Sequence, residues 1–299
     1  MATSSSVSDG KGIVLWSTFA LYVVARIGQQ FPNEIGVLAI VALQVLAPAA
    51  FALVHGSIVY RVRGVLVFSA FCMGIGGICE SLSVHTGFPF GHYYFTDLMG
   101  PKIFEIPILL VLAYLGIGYC SWALGVVLLG YRSKRLSMAG AFALACVSGF
   151  IMTAWDLSMD AIWSTLDRAW IWRNGGMFFG VPLCNFAGWY FTTFLFYLAF
   201  AVYCRRNPPR MKPTARGLWR VVILFYGVCA GGNLLVFRPG LFPVTATDAT
   251  GRIWMAKDIL IASVMVSLLV MMPLALLAWL RLNAQEAEEP TEYPAAVAQ

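Results

Sequence analysis

Eight apolar runs, each about as long as a lipid bilayer is thick, leave this chain few folds to choose from. They lie at about 13–31, 35–60, 65–83, 103–129, 136–163, 181–204, 218–237 and 259–280. A helix needs about 20 apolar residues to cross the hydrocarbon core. Within that core only helices and closed barrels satisfy their own backbone hydrogen bonds. The runs are far too long for barrel strands, so they predict an all-α integral membrane protein, a bundle of about eight transmembrane helices. Composition agrees: 60% of the residues are hydrophobic and 11% charged, against about 25% charged in soluble domains. The division expected is a cytoplasmic N-terminal segment at 1–11, a polytopic membrane domain at 12–282 and an acidic tail at 283–299. Pro and Glu in that tail predict disorder. No A-x-A-like cleavage site follows the first run, which therefore reads as a retained helix and not as a signal peptide.

The loops set the expected orientation. Arg61 and Arg63, then Arg132, Lys134 and Arg135, then Arg205, Arg206, Arg210, Lys212 and Arg216 occupy every second loop. The alternate loops (32–34, 83–102, 164–180 and 238–256) are mixed in charge. Because cytoplasmic loops carry the excess of Lys and Arg, both termini are expected in the cytoplasm, in a multi-pass protein of the cell membrane. The net charge of +6 is thus spent on topology and does not predict a nucleic-acid partner. Seven scattered cysteines without a CxxC pair read as small buried hydrophobes. Three histidines (His55, His85 and His92) lack metal-ligand spacing, so no metal and no cofactor are expected.

Ionisable groups inside the apolar runs are costly, and they mark function or a paired structural role. Here they gather toward one side. Residues 154–190 read AWDLSMDAIWSTLDRAWIWRNGGMFFGVPLCNFAGWY. Asp156 and Asp160, four apart, share a helix face, among Trp155, Trp163, Trp170 and Trp172. A glycine-rich turn leads to Asn185 and Trp189. Glu80 stands near the outer end of the third run, followed by the loop TGFPFGHYYF with Thr86, Phe90, His92 and Tyr93. Glu105 opens the fourth run, and Asn233 and Arg238 close the seventh. One cavity lined by several of these groups is the geometric expectation. Plainer roles are available to each. Glu80 could pair with Arg26, the two aspartates could accept from indole N–H groups, and the loop aromatics could form an interfacial belt. Glu105 and Asp97 lie where charge costs little, and His55 reads as structural.

Two carboxyl groups in one apolar site share a proton, and a protonated carboxyl serves as a general acid. Tryptophan and tyrosine faces stabilise cations. Acid plus aromatic lining, without a nucleophile or nucleotide loop, suits protonation of an isoprenoid double bond. The carbocation is then captured by water, giving an alcohol, or by another double bond, giving a ring. The DLSMD pair could instead hold magnesium and diphosphate as in membrane prenyltransferases, but no second aspartate-rich motif is present. A proton-coupled transporter would use such carboxylates as well.

The segments ESLSVHTGFPFGHYYFTDLMGPKIFEIP, AWDLSMDAIW and GGMFFGVPLCNFAGW resemble the membrane carotenoid 1,2-hydratase family, which includes γ-carotene 1′,2′-hydratases and bisanhydrobacterioruberin hydratases. The resemblance is clearest at 80–189. It implies cofactor-independent addition of water to the terminal 1,2 double bond of an acyclic ψ end group, with a lipophilic carotenoid as substrate and other carotenoid enzymes as companions. The matching positions are Glu80, Thr86, Gly87, Pro89, Phe90, Gly91, Tyr93, Asp156, Asp160, Gly180, Pro182, Asn185 and Trp189. Ser83 stands where the family pattern has glycine and Ala161 where it has proline. Glu105 adds a carboxylate expected near the pocket. The family is related to membrane lycopene cyclases, so cyclisation is the runner-up. On this reading Asp156, Asp160 and Glu80 are catalytic. Thr86, Phe90, Tyr93, Trp155, Asn185, Trp189, Glu105 and His92 bind substrate or water.

Overall fold

The computed structural model describes residues 9–132, 135–209, 216–236 and 240–288. Lys134, Arg210 and Lys212 of the basic loops, Phe237 and Arg238, and residues 1–8 and 289–299 lie outside the described residues. The chain is an all-α membrane fold. Its helices are α1 (Asp9–Gly28), a single turn α2 (Pro32–Ile35), α3 (Val37–Thr86), α4 (Ile108–Leu129), α5 (Met138–Ala161), α6 (Leu183–Arg206) and α7 (Arg216–Leu235). A last span joins α8 (Ala256–Val266) through a widened turn at Ser267–Met271 to α9 (Met272–Glu288). Among the described residues seven helices are long and apolar enough to cross a membrane.

Seven helices meet the eight runs expected because the second and third runs are joined in α3. Helix α3 is not straight. At Arg61 the backbone leaves helical geometry, with φ 64° and ψ 167°, and the chain doubles back. A methyl group placed on Gly56 would lie 2.6 Å from Val65 Cγ2, so glycine lets the two arms touch beside the reversal. Each arm exceeds the roughly 20 residues that a crossing requires.

Helix α4 sits at the centre: from Ala113 to Val127 every residue is buried. Around it the other helices turn Ile13, Val24, Leu66, Ile78, Phe150, Leu269 and Leu276 outward, all more than 50% exposed. A soluble bundle would place polar residues there; lipid accepts leucine and phenylalanine. The basic and acidic residues separate by ends. Arg63 begins the second arm of α3 and Arg205 and Arg206 end α6, whereas Glu80, Asp156, Asp160 and Asn185 lie toward the other end of their helices. Helix α9 runs on to Glu288, so the predicted tail begins as helix. Its Ala, Gln and Glu favour helix once one is started.

Among the described residues three two-stranded ladders, absent from the sequence expectation, cap the site end. They pair β1 (Tyr93–Phe95) with β4 (Trp170–Trp172), β2 (Lys102–Ile103) with β3 (Ile106–Pro107), and β5 (Thr245–Thr247) with β6 (Ile253–Met255). The first matters most. Its register sets Tyr93 opposite Trp172 and Phe95 opposite Trp170. Alternation along a strand then sends these four rings to one face. Tyr94 goes to the other face, where the Arg173 guanidinium lies 5.1 Å from its ring centre.

Candidate active site

The aspartate pair is fixed by one amide. Asp156 and Asp160 lie on one face of the last turns of α5, both buried. Asn185, in the first turn of α6, donates from Nδ2 to Asp160 Oδ2 at 2.6 Å and to Asp156 Oδ2 at 3.0 Å. Both amide protons are used, so neither carboxyl can turn without losing a partner. Asp160 Oδ1 also accepts from the indoles of Trp170 and Trp172, at 3.1 and 3.3 Å. The indole role considered for both aspartates is thus taken by Asp160. Asp156 Oδ1 is buried and has no hydrogen-bond partner among the described residues.

Glu80 faces this pair from the second arm of α3. It is buried and does not pair with Arg26, which binds Gln44 and Asn233 instead. Tyr93 donates to Glu80 Oε2, and Tyr114 donates to Oε1 at 2.6 Å. Tyr114 stacks on Trp189, with ring centres 4.8 Å apart and planes 9° apart. Sequence reasoning missed Tyr114, which is hidden in the apolar run of α4. The available signal was its phenolic hydroxyl, which needs a partner when buried in lipid. A Tyr114→Phe variant keeps the stack and removes one hydrogen bond to a carboxyl, worth about 1.5–3 kcal/mol. Turnover should fall by about tenfold or more while the protein stays in the membrane, as product assays on matched membranes would show.

The loop after α3 reaches the site because two residues hold it. Ser83 Oγ accepts from Phe90 N at 3.0 Å and donates to Gly91 O at 2.9 Å. The serine that departs from the family pattern therefore ties the loop to its helix. A methyl group on Gly188 would lie 2.6 Å from Pro89 O, so only glycine lets the loop backbone rest on α6. Ala161, the other departure, ends α5 and leads into a widened turn at Ile162–Leu166. That turn brings β4 back toward Asp160.

Glu80, Asp156, Asp160, Asn185, Tyr93, Phe90 and Trp189 line one cavity, with Phe95, Leu110, Met159, Trp170 and Trp172. Its free space is about 20 Å³, enough for one water. A wider space of about 60 Å³ adjoins it and shares Leu110, Met159 and Trp170. Trp155 lines this second space. Three expected site residues lie elsewhere. Thr86 is exposed and bonds within its own turn, to Leu82 O and Phe88 N. His92 is exposed, its ring packed over Gly87. Glu105 is exposed and 3.4 Å from His85 Nε2, so it adds no carboxylate to the pocket. Thr86 ends α3, and His92 and Glu105 lie in the connection beyond it; all three are exposed, and polar groups there stay in water. His55 is held between Tyr119 OH and Leu218 O as a structural residue.

The β5 and β6 hairpin covers the glycine-rich turn before α6. Trp254 packs on Phe179, with ring centres 5.5 Å apart. Partial burial works to raise the Asp248 carboxyl. Hydrogen bonds from Thr250, Trp254 and the Arg252 backbone outweigh this and hold it below the usual carboxylate range. A depressed group stabilises above its ordinary value, about 3.9 for aspartate, and that contribution is lost as pH falls through the depressed one. Asp248→Asn should therefore speed proteolysis at 244–255 near neutral pH, and in the wild type only acid below about pH 4 should do so.

No curated protein and no solved structure matches the chain. The family model described as carotenoid biosynthesis protein matches residues 35–253, which include Glu80, Asp156, Asp160 and Asn185. The chain belongs to the carotenoid biosynthesis protein family.

Proposed function

We propose that this multi-pass membrane protein adds water to the terminal 1,2 double bond of an acyclic carotenoid end group. The observation that carries the reading is the unequal bonding of the two aspartates. Asp160 receives three N–H donors on its two oxygens, an arrangement that suits a carboxylate, because an ionised carboxyl only accepts. Among the described residues Asp156 receives one donor and its Oδ1 has no partner, an arrangement that suits a protonated carboxyl with its O–H facing the substrate.

Asp156 gives that proton to C2 of the end group, leaving a tertiary cation at C1. The faces of Trp189, Trp172 and Trp170 surround the cation and stabilise it. A water oxygen bonds to C1 and its proton passes to Glu80, which the two tyrosine hydroxyls hold in place. Return of a proton to Asp156 completes the cycle, with the net addition of one water. The free space at the carboxyls is smaller than an isoprene unit, so binding displaces a side chain. Met159, flexible and shared by both cavities, is the one suited to move. Oxygens of the aspartate pair that already face N–H donors are poorly disposed toward magnesium diphosphate, which speaks against the prenyltransferase reading.

The test is expression of the full chain in cells that accumulate lycopene, with products resolved by mass in water enriched in heavy oxygen. Gain of one labelled water supports hydration. An isomer of unchanged mass with shifted absorption would instead assign cyclisation, and no product at all would sink both.

A further inference from the structure

A hydratase buried in lipid must admit water without flooding the cation, and one wall of the wider cavity is built differently from the rest. That cavity is mostly apolar and aromatic, but Arg26, Gln44 and Asn233 line one side. These side chains form an unbroken hydrogen-bonded file across four helices. Gln44 Nε2 donates to Gln29 Oε1 at 3.3 Å, Arg26 Nη1 donates to Gln44 Oε1 at 3.0 Å, and Arg26 Nη2 donates to Asn233 Oδ1 at 2.6 Å. Asn233 Nδ2 then donates to Ser158 Oγ at 3.0 Å and to Ser267 Oγ at 2.9 Å. Gln29 follows the end of α1 and is half-buried. Ser158 lies two residues from each aspartate on α5, and so on the opposite face of that helix. The file therefore begins at the end of α1 and lines the wider cavity, which meets the carboxyl cavity at Met159.

Its chemistry suits water. Arg26 is 9% exposed, and among the described residues no carboxylate lies within ion-pair distance of it. Among the described residues its partners are the neutral acceptors Gln44 Oε1, Cys229 O and Asn233 Oδ1, and Nε has none. A buried guanidinium so placed is costly, and water at its free edge lowers that cost. The cavity beside it, about 60 Å³, exceeds the roughly 15 Å³ that one water needs. The space at the carboxyls, reached past Met159, has a second buried polar atom without a partner, Asp156 Oδ1. Polar atoms of this kind usually bond to ordered water.

We infer that the file of Gln29, Gln44, Arg26 and Asn233 is the inlet through which the water that captures the cation reaches the active site. The inference rests on the hydration reading. The inlet residues set product choice, not protonation: they position water, while Asp156 starts the reaction without them.

The experiment compares wild type with Asn233→Leu and Gln44→Met in membranes supplied with lycopene, with the amount of inserted protein measured for each. Asn233→Leu is near in shape but loses the amide, and Gln44→Met removes a half-buried amide at small packing cost, so one variant serves if the other fails to insert. The expected result is a hydrated product reduced at least tenfold per inserted molecule, with isomers of unchanged mass rising as the cation loses a proton instead. Hydration at the wild-type rate in an inserted variant overturns the inlet alone. So does equal loss of hydrated and isomerised products, which is what a merely structural role gives. Wild type that makes no hydrated product overturns the hydration reading and the inlet with it.

Discussion

Asp156→Asn is expected to abolish hydration while the protein remains inserted. The exchange keeps shape and keeps an oxygen to accept from Asn185, so packing has little reason to change. On the proposed mechanism it removes the acid proton, from the carboxyl whose Oδ1 has no partner among the described residues. General acids contribute about a hundred- to ten-thousand-fold to rate, and protonation opens the proposed sequence, so loss across that range is expected. The measurement is hydrated carotenoid formed per inserted protein. Wild-type turnover in Asp156→Asn would move the acid elsewhere in the cluster, Asp160 being next. The control is Asp160→Asn. It places an amide N–H2 among N–H groups that Asp160 now satisfies, and so it should reduce stability as well as activity.

Asn185→Leu should be the most damaging change among residues that donate no proton. Leucine nearly fills the same volume, yet both carboxyls lose the amide that separates and orients them. The bond to the ionised Asp160 contributes about 1.5–3 kcal/mol and the bond to the protonated Asp156 about 1 kcal/mol. Losing both in a buried site should lower stability by about 3 kcal/mol, along with activity. Thermal unfolding in detergent reads the first effect and product assays read the second. A variant with wild-type melting and turnover would mean that the bridge between the two aspartates has no role. Asn185→Gln, which keeps the amide but overreaches, should recover part of the stability and little of the activity.

Much of this site was legible from charge and hydropathy. Carboxyls are rare enough in apolar runs that Glu80, Asp156 and Asp160 stood out, and the alternation of basic loops put all three at one end. The i, i+4 spacing set the two aspartates on one face. Asn185 followed from its place at the start of the next helix. Tyr114 did not stand out, because tyrosine is common in membrane helices and its spacing carries no sign of Glu80 34 residues away. The pairing of β1 with β4 was also hidden. Three-residue strands leave too short a pattern to read, and their partners lie far apart in sequence. Without that register the tryptophans could be placed near the aspartates but not assigned as donors to Asp160. His92 and Glu105 were drawn into the site by adjacency, and Thr86 by the family resemblance. Sequence neighbours of a buried residue in a turn point to opposite sides, and these three point to water.

The ladder between β1 and β4 has one more consequence. It fastens the connection after α3 to the connection after α5 at the end of the bundle, and Asn185 fastens α6 to α5 just below. Helices respond to a bilayer thinner than their apolar length by tilting, and tilt moves their far ends most. With the near ends stitched together, Glu80, Asp156 and Asp160 are expected to keep their separation while tilt is taken up at the basic ends of α3, α5 and α6. Vesicles of short and long acyl chains should therefore support similar turnover even where they change how tightly the bundle packs.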